Sequence, residues 1–263
     1  MTAEGSGALA AVLLAGCRVA GMAAFAPAVA APAVPVRVRT GLAFVLGVAA
    51  LPALGSAALP AMALAEPWRL LPLAASEFAI GAVIGVLAML PVAAFRTAGA
   101  LVGMQAGVGF GQMMDGSADP ADADGDPAGQ LLALLGIAAF VWAGGLEALA
   151  LAALRSFDGV GLGAWTPDAG VVGTVLGMAG AASELAFRIA LPVTAVLVAE
   201  AMISGMVARS VPGVGPIAFG FPLRFAVALA SLLAGAAAMQ SAMDGALADA
   251  LGAVRAVTQG GRA

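Results

Sequence analysis

The chain has 263 residues, 62% hydrophobic and only 10% charged, with a net charge of −4 and a mean hydropathy of +1.06. A soluble domain is about 45–50% apolar and about 25% charged, so this chain lacks the polar surface to fold in water, and lipid must be its solvent. His, Lys and Tyr are absent and Cys17 is the single cysteine, which excludes His-based zinc and haem sites, Ser–His dyads, a Walker-type phosphate loop, a Schiff-base lysine and an internal disulfide.

In chain order, apolar segments cover approximately 8–33, 41–64, 73–95, 97–114, 129–154, 171–208 and 216–243. A spanning helix needs roughly 20 such residues, which predicts an all-α, polytopic membrane protein with about six long helices. The first segment holds Leu14-Ala15-Gly16-Cys17, the shape of a lipoprotein cleavage box. Glu4 precedes it with no basic residue, and the apolar run continues past Arg18, so it reads as a small-residue helix bearing one thiol. The fourth segment is short and Gly-rich, a candidate re-entrant element. The sixth is too long for a simple span, which predicts a broken helix or a span extended by a half-helix. If the amino terminus lies outside and every segment changes side, Arg37, Arg39, Arg96, Arg155, Arg255 and Arg262 fall inside, with Arg69 and Arg209 outside. The chain reads as one integral membrane domain over 1–263. Its most polar connection is an acidic loop at 115–128, from which the net charge of −4 largely comes and which points to no nucleic-acid partner. Asp119, Asp122, Asp124 and Asp126 sit close together there, but no Glu closes a calcium-loop pattern, so the loop reads as solvated and no metal is expected.

Gly99, Gly103, Gly107 and Gly111 recur every four residues, and Met104, Gln105, Gly109, Phe110, Met113, Met114 and Asp115 are interleaved with them or follow. On a helix the glycines make a stripe that another backbone can approach closely. Glycine is also a poor helix former, and methionine adapts to irregular partners. Two readings stay open: a tight helix–helix contact, and a pliable plug across a pore. Ionisable residues lie in or near the apolar runs at Arg18, Glu77, Glu147, Glu184, Arg188, Glu200 and Arg224. At membrane depth such groups pair with one another or with neighbouring subunits. Glu184 and Arg188 stand in the favourable i,i+4 order for a pair, and Glu200 is the residue through which a proton relay is conceivable. Pro192 should kink its helix, and Pro212, Pro216 and Pro222 interrupt the chain before the last apolar run.

These motifs, taken in order, resemble the FliR/SctT family of type III export apparatus proteins. The resemblance rests on Arg18-Val-Ala-Gly21, on Pro35-Val-Arg37-Val-Arg39-Thr-Gly41-Leu42 and on Glu77-Phe78-Ala-Ile80-Gly81. It continues through the Gly-rich run ending at Met114-Asp115, Arg188-Ile-Ala-Leu-Pro192, Gly205-Met-Val-Ala-Arg209-Ser-Val-Pro212 and Gly220-Phe221-Pro222-Leu223. It implies a structural, gating subunit of the flagellar export channel, seated in the bacterial inner membrane at the flagellar basal body. The implied partners are P-type, Q-type and B-type gate subunits (FliP, FliQ and FlhB-like), unfolded flagellar export substrates and membrane lipid. It assigns no catalytic step and no cofactor. Gly103 to Asp115 matches the family's plug loop; Arg18, Glu77, Glu184, Arg188, Pro192, Glu200, Arg209, Gly220, Phe221 and Pro222 are expected at helix-packing or subunit interfaces. An injectisome subunit is the nearest alternative. A secondary transporter is a rival of another class, weakened by the lack of a convincing internal repeat.

Overall fold

A computed structural model describes residues 3–31, 34–50, 52, 68, 70–107, 127–210 and 220–259. Among them are eight α-helices and no strand: α1 (Ala3–Phe25), α2 (Val36–Ala49), α3 (Leu70–Ala106), α4 (Pro127–Trp142), α5 (Gly145–Gly159), α6 (Ala169–Ser210), α7 (Phe221–Ala234) and α8 (Ala236–Gln259). The all-helical membrane architecture expected from composition is present.

Local chemistry sets the helix ends. Pro35 occupies the N-cap of α2 in an extended conformation. Gly144, at φ 75°, separates α4 from α5. Asp168 starts α6 by accepting a hydrogen bond from the Val171 backbone N–H at 2.8 Å. Pro222 lies in the first turn of α7, where its missing N–H costs nothing. The break at Gly235 bends α7 against α8 by 55°.

Two helices are longer than the spans read from the sequence. The third and fourth apolar segments join into the single 37-residue α3, which runs through Pro91 and reaches about 55 Å at 1.5 Å per residue. The fourth segment therefore begins as a continuation of the third, up to Ala106, and not as a separate helix. The 42-residue α6 is likewise continuous through Pro192. A proline removes one backbone hydrogen bond, and a long flanking helix anchored on both sides absorbs that loss. Among the described residues α3 and α6 are long and apolar enough to cross a membrane, with up to four spans if the interrupted pairs α4/α5 and α7/α8 each count as one.

The chain forms two compact units: Met1–Leu90, Phe140–Ala179 and Leu247–Ala263 make the first, and Pro91–Ala139 with Gly180–Ala246 the second. Val19, Met22, Ile80, Ile84, Leu87, Leu149, Trp165 and Val254 form the core of the first unit. Helices here approach to backbone contact because glycines face one another. A Cβ on Gly81 would sit 1.8 Å from the Arg18 carbonyl oxygen, and one on Gly21 would sit 2.2 Å from that of Phe78. Gly47 packs on Gly16 in the α1–α2 crossing. In the second unit Phe95, Leu132, Ile189 and Leu197 are buried, and Gly99 meets the backbone of Ala128 and Gly129 at the start of α4.

Candidate functional site

The most polar point of the first unit is also its most enclosed. Arg18 on α1 and Glu77 on α3 are both 0% exposed. Gly21 and Gly81 bring the two backbones together one turn from these residues. Arg18 Nε donates to Glu77 Oε2 at 2.6 Å, and Nη2 donates to Glu77 Oε1 at 3.1 Å, a two-pronged pairing. Nη2 also reaches the Val160 carbonyl at 3.1 Å, and Nη1 reaches Ser156 Oγ at 3.1 Å. Glu77 Oε1 accepts a further bond from the Gly163 backbone N–H at 2.7 Å. The Phe157 ring lies 4.1 Å from the guanidinium carbon, offering its negative face. This node joins α1, α3, the end of α5 and the loop that follows. Every part is hydrogen-bonded, which is the condition for a charged pair to persist in a dry interior.

Two expected interface residues, Arg18 and Glu77, thus pair with each other inside the chain. The sequence reading missed Ser156, Phe157, Val160 and Gly163. Ser156 and Phe157 gave no motif signal, and Val160 and Gly163 contribute only main-chain groups, which any residue supplies. A second motif has a comparable internal role: Arg39 Nη2 donates to the Ala30 and Ala31 carbonyls at 3.1 and 2.6 Å, tying the start of α2 to the turn after α1.

In the second unit Glu200 is buried and Arg224 half-buried; Arg224 Nε donates to Glu200 Oε2 at 3.1 Å, and Ser204 Oγ donates to Glu200 Oε1. The i,i+4 pair forms as expected, with Arg188 Nη2 donating to Glu184 Oε1 at 2.8 Å, but it lies exposed on α6. Pro192 is exposed on the same helix, and Arg209 lies in its last turn, where a cation suits the helix dipole. Gly220 and Pro222 open α7; nothing is described for the Phe221 side chain.

Of the Gly/Met-rich stretch, Gly103, Met104, Gln105 and Gly107 are described. Gly103 is buried, whereas Met104 and Gln105 are exposed at the end of α3. Gly107, at φ 76°, closes the helix with its N–H on the Met104 carbonyl at 3.3 Å, a conformation that favours glycine. Gly109, Phe110, Gly111, Met113, Met114 and Asp115 lie outside the described residues, as does most of the acidic loop. Among the described residues no group of three or more His, Cys, Asp or Glu side chains is placed to hold a metal ion.

Long apolar helices, glycine-mediated crossings and enclosed ion pairs define a helical membrane protein. Residues 9–250 match the family described as Bacterial export proteins, family 1, and the chain belongs to that family. It is also 26% identical over 215 residues to the flagellar biosynthetic protein FliR of Escherichia coli (strain K12), covering 81% of this chain and 79% of that protein. The family places the chain in an export apparatus of the type III kind, as a membrane-embedded channel component.

Proposed function

We propose that this chain is a structural and gating subunit of the flagellar type III export channel, embedded in the bacterial inner membrane at the flagellar basal body. The similarity to a flagellar biosynthetic protein over 81% of the chain carries this reading. P-type, Q-type and B-type gate subunits are its partners, and unfolded flagellar proteins pass through the assembly. The stretch from Gly103 to Asp115 serves as a pliable plug. In support, α3 carries the start of the Gly/Met-rich run, with Met104 and Gln105 exposed in its last turn, and ends at Gly107 in a conformation that favours glycine. A seal needs a side chain that moulds to an irregular partner, and the unbranched thioether of methionine does so.

The test is affinity purification of the tagged protein from mildly solubilised membranes, with mass spectrometry of what accompanies it. Recovery of flagellar P-, Q- and B-type subunits is the expected result. Recovery of injectisome counterparts reassigns the system, and a lone chain under conditions that preserve other membrane complexes overturns the gate role.

A further inference from the structure

In the second unit, α6 and the bent pair α7/α8 enclose a groove of about 440 Å³. Pro192, Val193 and Val196 of α6 form one wall, and Gly235, Ala238 and Met239 face them at the bend. Small side chains and the 55° bend leave a curved, almost wholly apolar channel within the size range of small-ligand pockets. Arg188 stands at its rim, bonded to Glu184 one turn along α6.

The ion pair is the informative feature. Its two side chains are 71% and 72% exposed, yet they sit beside Phe187 and Leu191, themselves 54% and 61% exposed. The two charges neutralise each other through one bond, and the guanidinium N–H groups and carboxylate oxygen that this bond does not use remain exposed beside the groove. Among the described residues Glu184 is the one acceptor for Arg188, through Nη2, and the other guanidinium N–H groups meet no further acceptor among them. From this geometry we infer that the groove holds one acyl chain of a membrane phospholipid with a zwitterionic phosphoethanolamine headgroup. Its phosphate meets Arg188 and its ammonium meets Glu184. A guanidinium fork matches phosphate oxygens, and a carboxylate accepts from a primary ammonium, so the pair reads both headgroup charges. A flexible chain follows the bend, whereas a rigid helix packs best along an unbroken ridge. The inference rests on membrane embedding and holds whichever export system the chain serves.

The test uses the full chain, purified with whatever subunits accompany it, in nanodiscs containing equal amounts of phosphatidylethanolamine and phosphatidylglycerol. Lipid retained after detergent washing is then identified by native mass spectrometry. The expected result is preferential retention of phosphatidylethanolamine. Arg188→Gln lowers retention of both lipids by about tenfold, the scale of one charge-assisted hydrogen bond. Glu184→Gln removes only the preference between them, and Ala238→Phe, which fills the groove, abolishes retention. A photoreactive acyl chain on phosphatidylethanolamine provides a readout on the unaltered protein, with labels expected at residues 189–196 and 235–242. Equal retention of the two lipids, unchanged retention in Ala238→Phe, labelling no stronger there than on other exposed helix faces, or a partner subunit's helix crosslinked in the groove each overturn the inference.

Discussion

Replacing Glu77 with Gln keeps the shape of the side chain while removing its charge. Three bonds end on the Glu77 carboxylate: two from Arg18 at 2.6 and 3.1 Å, and one from the Gly163 N–H at 2.7 Å. The amide of Gln offers one acceptor oxygen, and its NH2 group must face a donor at the other position. Arg18 then stays charged at 0% exposure, keeping one bond to the amide oxygen together with Ser156, the Val160 carbonyl and the Phe157 ring, but with no opposite charge beside it. Losing one partner of a buried pair costs about 3–5 kcal/mol, and each charge-assisted bond alone about 1.5–3 kcal/mol, so the expected loss is about 4 kcal/mol. Changing both residues, Arg18→Met with Glu77→Leu, strands no charge, and the double variant should recover most of that loss. Unfolding of the purified protein in mild detergent with a graded denaturing surfactant reads Glu77→Gln and the four corners of the cycle: the unaltered chain, Arg18→Met, Glu77→Leu and the double variant. A Glu77→Gln cost below about 1 kcal/mol, or a double variant as unstable as the summed singles, refutes the claim that mutual neutralisation holds this node together.

Four further outcomes follow from the same geometry. Gly81→Ala places a Cβ 1.8 Å from the Arg18 carbonyl and should cost about 1–3 kcal/mol or abolish accumulation in membranes, whereas Gly41→Ala on α2, with nothing within 4 Å, should gain about 0.5–1 kcal/mol. Immunoblotting of membranes and unfolding of purified protein check this contrast. Gly107→Ala forces a side chain into φ 76°, at a cost of about 1–2 kcal/mol, and should reduce secretion of flagellar proteins while leaving membrane levels intact. Unchanged secretion removes the stem-and-plug arrangement. Glu200→Gln should cost less than Glu77→Gln, because Arg224 is 33% exposed, whereas Arg18 is fully enclosed. If instead export fails while stability holds, Glu200 acts as a proton carrier. Deleting Met113 and Met114 should raise ion leak through the assembled complex, measured as dye-reported flux in vesicles, and no added leak leaves these methionines a packing role.

The helical membrane class was legible in composition alone, since no soluble fold accommodates this apolar content. The pairing of Arg18 with Glu77 was half legible. Both residues stood out as charges in apolar runs, yet hydropathy does not say which of seven such residues meet. Proximity is decided by helix crossings, and the crossing at Gly21 and Gly81 lies in two motifs 60 residues apart, too distant for any local period to link. Segment boundaries were misjudged where Arg96 interrupts the apolar run. Hydropathy breaks there, but Ala and Leu keep the backbone helical, and a polar residue on a long helix need not end it. The reverse held at Ala143 and Gly144, where hydropathy runs on while the left-handed glycine breaks the helix.

Small residues and buried charge are not independent features of this chain. A guanidinium and a carboxylate pair strongly only where water and mobile polar groups are kept away, and side chains of ordinary size at a helix crossing hold the axes some 8–10 Å apart. Removing the Cβ atoms at Gly21, Gly81 and Gly85 lets carbonyls and amides of the facing helix occupy that space. The enclosed pair then resists separation of α1 from α3, since parting them strands both charges in an apolar surrounding. On the proposed function, a channel subunit held firm beside a moving substrate would gain from a crossing that yields all at once, if at all. On that argument Gly81→Ala and Glu77→Gln damage one cooperative element, and their combined cost should fall well short of the sum. Additive costs within about 0.5 kcal/mol would separate the crossing from the pair.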